Sequence, residues 1–167
     1  LEMTATIRGF EPLYIQRIAQ LTNKSNQFNL TTLRCSEDDI RAMAADADAL
    51  CLCGKLVDKF GDNGIVTVVA GKRQGDLLDL TLWLMSCRVL KRGMEDAMMD
   101  TLMAQAAAAG VKTVVGHYYP TAKNAMVRDF YAQFGFAKTA EDAEGNTEWR
   151  LEVSGYAPKH PHMKIER

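Results

Sequence analysis

Residues 82–136 read LWLMSCRVLKRGMEDAMMDTLMAQAAAAGVKTVVGHYYPTAKNAMVRDFYAQFGF, and this stretch parses as strand, basic loop, helix, strand, turn, helix. It continues an alternation begun at Leu78 and Leu80, in which every second residue is apolar, the mark of a strand with one face on a core. Cys87-Arg88-Val89-Leu90-Lys91-Arg92-Gly93 then leads into a helix rich in alanine and methionine. A second strand is expected over 112–118. Residues 121–136 predict a short amphipathic helix, with Thr121 as N-cap and Asn124, Val127, Tyr131 and Phe134 on one stripe. A strand that enters a helix through a basic, Gly-ended loop is a common phosphate seat, because unpaired amide donors meet the positive end of the helix dipole. Glu95 and Asp96 in the first helical turn compete for the same dipole, so the loop also reads as a helix capped by its own acids.

Outward from this stretch, Pro12 opens a helical pattern with Tyr14, Ile18 and Leu21 on one face, fading near Asn23. The segment from Asn23 to Thr32 is dense in amides and hydroxyls, which suits a structural loop or the lining of a ligand cleft. Ser36 is the expected N-cap of a helix whose inner face is Ile40, Met43 and Ala44, with Glu37, Asp38 and Asp39 in the first turn. Strands are expected over 50–60, 65–72 and 77–86. The first two are joined through Gly61-Asp62-Asn63-Gly64, since Asn-Gly between apolar runs is a strong hairpin signal. A final hairpin turns at Glu144-Gly145-Asn146, and from Gly155 an irregular tail is expected. Helix, helix, β-meander, helix, strand, helix and hairpin give an α+β or α/β three-layer fold. Its central sheet is mostly antiparallel, with one parallel strand pair and flanking helices.

At 167 residues, 47% hydrophobic and 25% charged, the chain suits one globular domain. Its parts are expected to be an N-terminal helix and amide-rich linker (1–34), a core (35–154) and a tail (155–167). A net charge of −1 argues against a general nucleic-acid binder, and no apolar run is long enough to span a bilayer. Four cysteines without an export segment suggest reduced thiols in the cytoplasm. Cys51 and Cys53 share one face of a strand, but no second ligand pair stands at metal spacing, so buried free thiols are expected and no metal. His160-x-His162 reads as part of a solvated tail.

The spacing Asn124, Val127, Tyr131, Gly135-Phe136 resembles the Asn-x-x-Ala-x-x-x-Tyr-x-x-x-Gly-Phe signature of the GNAT acyltransferases. The resemblance implies a GNAT-like fold in which two neighbouring strands splay, leaving a slot where pantetheine amides pair with strand backbone. It also implies coenzyme A or acyl-CoA as cofactor, with its pyrophosphate on the loop Arg88, Val89, Leu90, Lys91, Arg92, Gly93 and with Asn124 on pantetheine. That loop usually reads Gln/Arg-x-x-Gly-x-Gly/Ala; here Lys91 replaces the first Gly. A finer likeness lies in four blocks. These are the run from Gln20 to Thr32, Asp58-Lys59-Phe60-Gly61-Asp62-Asn63-Gly64, Trp83-Leu84-Met85-Ser86-Cys87-Arg88-Val89-Leu90, and Pro120-Thr121-Ala122-Lys123-Asn124. Together they resemble the C-terminal region of FkbH-like proteins, which is joined upstream to a HAD-type phosphatase-like domain. That family loads a glyceryl unit from 1,3-bisphosphoglycerate onto an acyl carrier protein. The implied partners are therefore a carrier protein with its phosphopantetheine arm and an upstream HAD-type domain, whose Asp-x-Asp-x-Thr motif this sequence lacks.

Three residues are candidates for catalysis. By the resemblance, Tyr131 is a general acid toward a departing thiolate; on its apolar stripe it equally reads as core. His117 at a strand end is a candidate base or a structural histidine. Cys87, beside Arg88 and near a helix N-terminus, is a candidate acyl acceptor or a packed strand-end thiol. The expected function is acyl-CoA or acyl-phosphopantetheine binding with acyl transfer. The alternative is a non-catalytic module that docks the carrier protein or supports the HAD-type domain.

Overall fold

The computed structural model describes residues 2–167. One eight-stranded sheet forms the frame, built from β1 (Thr4–Arg8), β2 (Ala49–Asp58), β3 (Gly61–Gln74), β4 (Leu77–Met85), β5 (Thr113–Tyr118), β6 (Ala137–Glu141), β7 (Thr147–Glu152) and β8 (Lys164–Glu166). The strands lie in the order β6-β7-β5-β4-β3-β2-β1-β8. Strands β4 and β5 run parallel, as do β1 and β8, and every other neighbouring pair is antiparallel. Helices α1 (Ile15–Lys24) and α2 (Glu37–Ala45) cover one face, and α3 (Met94–Ala108) with two short 3-10 turns covers the other. Two apolar cores result, one on each face, which is the three-layer arrangement the element order implies.

Local chemistry accounts for the helix limits. Ser36 caps α2 through a reciprocal capping box: its hydroxyl accepts from Asp39 N–H at 3.1 Å, and its own N–H donates to the Asp39 carboxylate at 2.8 Å. Helix α3 carries apolar residues all round, since it lies between the sheet and the C-terminal tail. That tail is more ordered than its composition suggests. Asp100 on α3 accepts from Tyr156 OH, Lys159 N–H and His160 N–H at 2.6–2.9 Å, and the chain then pairs with β1 as β8. A three-residue strand is too short to show a period in the sequence.

Two expectations need correction. The β2–β3 hairpin turns at Lys59-Phe60, not at Asn63-Gly64. Asp58 accepts from Phe60 N–H at 2.8 Å and closes the turn early, while Gly64 (φ +68°) sits in a bulge between the pairs Lys55↔Ile65 and Val57↔Asp62. The stretch 121–136 is not a continuous α-helix but two 3-10 turns, Ala125–Val127 and Tyr131–Phe134. Its aromatic and β-branched residues favour the α-helix weakly, and i→i+3 bonding, as from Phe130 N–H to Val127 C=O at 3.1 Å, accompanies the burial of Val127, Phe130, Tyr131 and Phe134.

Candidate functional site

The parallel pairing of β4 with β5 is short. It covers only Leu77↔Thr113, Leu78↔Val114 and Asp79↔Val115, and beyond it the two strands diverge into a fork. The fork is filled by the protein's own chain. Residues 28–30, from the amide-rich segment, run antiparallel along β4: Leu30 N–H donates to Trp83 C=O and Met85 N–H donates to Phe28 C=O, both at 3.0 Å. Across the fork, Tyr119 N–H donates to Leu30 C=O at 2.9 Å. Phe28 wedges its ring against Phe130, with centroids 5.3 Å apart, and Phe130 lies 5.0 Å from Trp83. The segment read as loop or cleft lining is thus an inserted segment, bridged to β4 at Asn29, that satisfies backbone edges the splay exposes.

Asn124 locks this insert. It is fully buried, and its amide is saturated: Nδ2 donates to Asn29 C=O and Tyr119 C=O at 3.0 Å each, while Oδ1 accepts from Thr121 N–H at 2.8 Å and Tyr118 OH at 3.3 Å. No hydrogen-bonding valence is left for a pantetheine amide. The loop before α3 is engaged likewise. Arg92 pairs with Asp58 at the end of β2, Val89 is buried, and Gly93 (φ +88°) lies under Pro161 and Met163 of the tail. Lys91 takes φ +60°, the left-handed conformation that favours Gly, and with Leu90 and Glu95 lines a small cavity of about 170 Å³. Burial pushes the Glu95 carboxyl up, and the backbone N–H groups of Glu95, Lys91 and Gly93 oppose that shift. The amide cradle expected for a pyrophosphate therefore faces an anion the chain itself supplies. While residues 28–30 stay in place, neither the slot nor the Asn124 amide is open to the pantetheine arm of coenzyme A.

The three catalytic candidates stand in three surroundings. Tyr131 is 1% exposed, its ring packed so closely on Gly116 of β5 that an added Cβ there would lie 2.4 Å from it. Burial first, and the Asp79 carboxylate second, push its phenol well above the ordinary tyrosine range. Such a phenol donates a hydrogen bond, whereas passing its proton to a thiolate of ordinary pKa, about 8.5, runs uphill. His117 points to the opposite face of β5, where its Nε2 meets Asp79 Oδ1 at 2.5 Å. Together with Thr31, Leu33, Thr81 and Tyr119 they line a cavity of about 360 Å³. Asp79 is the last β4 residue paired with β5, so this carboxylate–imidazole pair marks the base of the fork. A histidine held by a carboxylate is oriented as a proton acceptor.

Cys87 is exposed and its thiol contacts Gln27 Oε1 at 3.1 Å. It lines a cavity of about 750 Å³ between α1 and the end of β4, with Arg17, Lys24, Arg88 and Lys123 among the walls. Of the loop's basic residues, only Arg88 turns this way; Lys91 and Arg92 do not. The meeting of Arg17 and Lys24 of α1 with Arg88 and Lys123, and of Asp79 with His117, carried no spacing signal, because each joins elements far apart in the chain. The other cysteines, Cys35, Cys51 and Cys53, are free; burial pushes Cys51 to about 11 and Cys53 to about 12. Among the described residues no group of three or more His, Cys, Asp or Glu is arranged to hold a metal ion, and no helix is long and apolar enough to cross a membrane.

No family model and no curated protein matches the chain. Solved structures do match. The ribosomal-protein-S18-alanine N-acetyltransferase of Escherichia coli superposes with a TM-score of 0.67 at 15% identity, covering 95% of this chain and 99% of that one. The GNAT domain of S. lividans PAT gives 0.66 at 16% identity, covering 87% and 89%. Spermidine N-acetyltransferase of Vibrio cholerae, solved in complex with CoA and spermine, gives 0.66 at 11% identity, covering 90% and 96%. At such identities the likeness establishes architecture, and the architecture is that of the GNAT acetyltransferases: a mixed sheet, forked between two parallel strands and flanked by helices.

Proposed function

We propose that this domain transfers an acyl group from the thioester of a phosphopantetheine arm, received in the β4–β5 fork, to a nucleophilic acceptor, in the carrier-protein setting that the FkbH-like blocks imply. The observation that carries the reading is the edge of β4 that β5 leaves unpaired beyond Asp79. Trp83 C=O and Met85 N–H face the fork and now pair with residues 28–30, a peptide segment whose hydrogen-bonding groups a pantetheine amide can replace one for one. A carrier-bound arm and free coenzyme A present the same pantetheine thioester to this edge, and the FkbH-like blocks favour the carrier-bound form. His117, oriented by Asp79, would accept the proton of an attacking hydroxyl, amine or thiol. Tyr131 would steady the departing sulfur by a hydrogen bond. The electron pair of the acceptor forms the new bond to the acyl carbon as the C–S bond breaks, and the thiolate leaves with the arm.

A second reading, a non-catalytic module that docks the carrier protein or braces an upstream HAD-type domain, is favoured by the saturated Asn124 amide and the occupied fork. Hydrogen exchange with acetyl-phosphopantetheine and with acetyl-CoA separates the two. Transfer at the fork requires saturable binding, with faster exchange at the Leu30 and Tyr119 amides as the insert leaves. Absence of binding at millimolar thioester would overturn the first reading and leave the second.

A further inference from the structure

We propose that the cavity between α1 and the end of β4 is a phosphate-binding site for a small phosphorylated ligand, held by Arg17, Lys24, Arg88 and Lys123. Three parts of the chain bring these cations together: Arg17 and Lys24 lie two turns apart on one face of α1, Arg88 comes from the 3-10 turn Cys87–Val89, and Lys123 precedes the turn Ala125–Val127. No carboxylate lines the cavity; its remaining polar walls are the neutral Ser25, Asn26, Gln27 and Ser86 with the Cys87 thiol. None of the four cations has a carboxylate within 4.0 Å among the described residues, although the chain as a whole carries a net charge of −1. Surface cations in a protein with as many acids as this one ordinarily find partners, or spread apart in solvent. Here they converge in a concavity of about 750 Å³, within the range of small-molecule sites.

The electrostatics point the same way. Burial, and then the neighbouring Arg88, lower the Arg17 guanidinium from its ordinary value. Like charges facing one cavity repel each other, and a bound dianion converts that repulsion into paired, charge-assisted hydrogen bonds. Two guanidinium groups offer planar donor forks that match phosphate oxygens, whereas a lone carboxylate would leave half of the charge unmatched. The walls are also built rather than fortuitous. Arg34 donates to Thr22 C=O and Ser25 C=O at 2.5 and 2.8 Å and holds the 25–27 wall against the end of α1.

The cavity opens at the mouth of the fork. Its walls Ser25, Asn26 and Gln27 directly precede Phe28, and Met85 to Arg88 continue from the β4 edge that the insert occupies. A ligand anchored by phosphate here extends either along β4 or toward the Cys87 thiol. That identifies two sources of one chemistry, a phosphopantetheine arm and a small acyl phosphate. The choice of ligand rests on the thioester reading above; the phosphate site itself does not.

Pyrophosphate titrated into the full chain at low ionic strength, followed by calorimetry and amide chemical shifts, tests it. Saturable binding is expected, weakened tenfold or more by Arg17→Gln and by Arg88→Gln and by less than twofold by Lys91→Gln on the α3 loop. Because each arginine substitution removes a like-charged neighbour from an unpaired cluster, thermal midpoints should hold or rise, which separates lost binding from lost folding. Parallel titrations with free phosphopantetheine and with acetyl phosphate identify the source by the tighter of the two. Wild-type affinity in both arginine variants, or a tenfold loss in Lys91→Gln, overturns the proposal. Pyrophosphate binding without any thioester exchange at the fork keeps the phosphate site and rejects the transfer reading.

Discussion

Replacing Asn124 with alanine is the sharpest single test of how the fork is closed. The side chain is fully buried and makes four hydrogen bonds that join three pieces of chain: the insert through Asn29, the end of β5 through Tyr118 and Tyr119, and the start of the next turn through Thr121. At about 1 kcal/mol of net stability per bond the four sum to ~4 kcal/mol, with the two orphaned carbonyls setting the upper end of a range of about 3–5 kcal/mol. That is a large share of the ~5–15 kcal/mol that holds a domain together. It corresponds to a fall in Tm of about 8–16 °C for a chain of this size. Urea titration read by the buried Trp83 and Trp149 measures the loss, and hydrogen exchange locates it at residues 28–30 and at Tyr119. Asn124→Asp keeps the acceptor but turns both donors into an anion facing two carbonyls, so above about pH 5, where a free aspartate is ionised, it should cost at least as much. A loss below about 1 kcal/mol in the alanine variant would refute the reasoning, because the amide would then be free to serve a ligand instead.

Two further outcomes are expected. Arg92 holds the Asp58 carboxyl below its ordinary range, first by its hydrogen bond and with help from Phe60 N–H. A depressed native pKa contributes stability that is present above the unfolded value, about 3.9, and lost as pH falls through the native one. Arg92→Gln should therefore lower stability at neutral pH and move the acid-unfolding midpoint upward, with the two proteins converging at the acid end; identical acid transitions would sink the assignment. In the native protein one thiol of four, Cys87, should alkylate readily with iodoacetamide, since burial raises Cys51 to about 11 and Cys53 to about 12 and also raises Cys35. Peptide mass spectrometry that finds Cys53 labelled as fast as Cys87 would contradict the buried placement.

Much of the frame was legible because it rests on local rules. Period-2 apolar runs marked the meander, Ser36 marked the start of α2, and the spacing of Asn124, Tyr131 and Gly135-Phe136 carried the resemblance to a GNAT-like fold. Local rules misled where two local signals competed. Asn63-Gly64 carries the stronger turn signature, yet the Asp58 side chain closes the turn first, and the Gly is left to absorb a bulge. In 121–136 the apolar stripe was read at helical period, but the chain forms two separate 3-10 turns, and its rings pack as Phe130 on Tyr131 and Phe134 and Tyr131 on Phe136.

What the sequence determined by itself is the alternation, the caps and the motif spacing, all of them properties of residues within a few positions of each other. The candidate site lay beyond that reach. That residues 28–30 would cross the fork, that Asn124 would saturate itself on Asn29 95 residues away, that Glu95 would face the amide cradle, and that Arg88 would turn from its own loop to join Arg17, Lys24 and Lys123 are outcomes of tertiary packing. A hydrogen-bond donor or a cation takes whichever partner the fold brings within about 3 Å, and sequence spacing carries no record of distances closed across tens of residues.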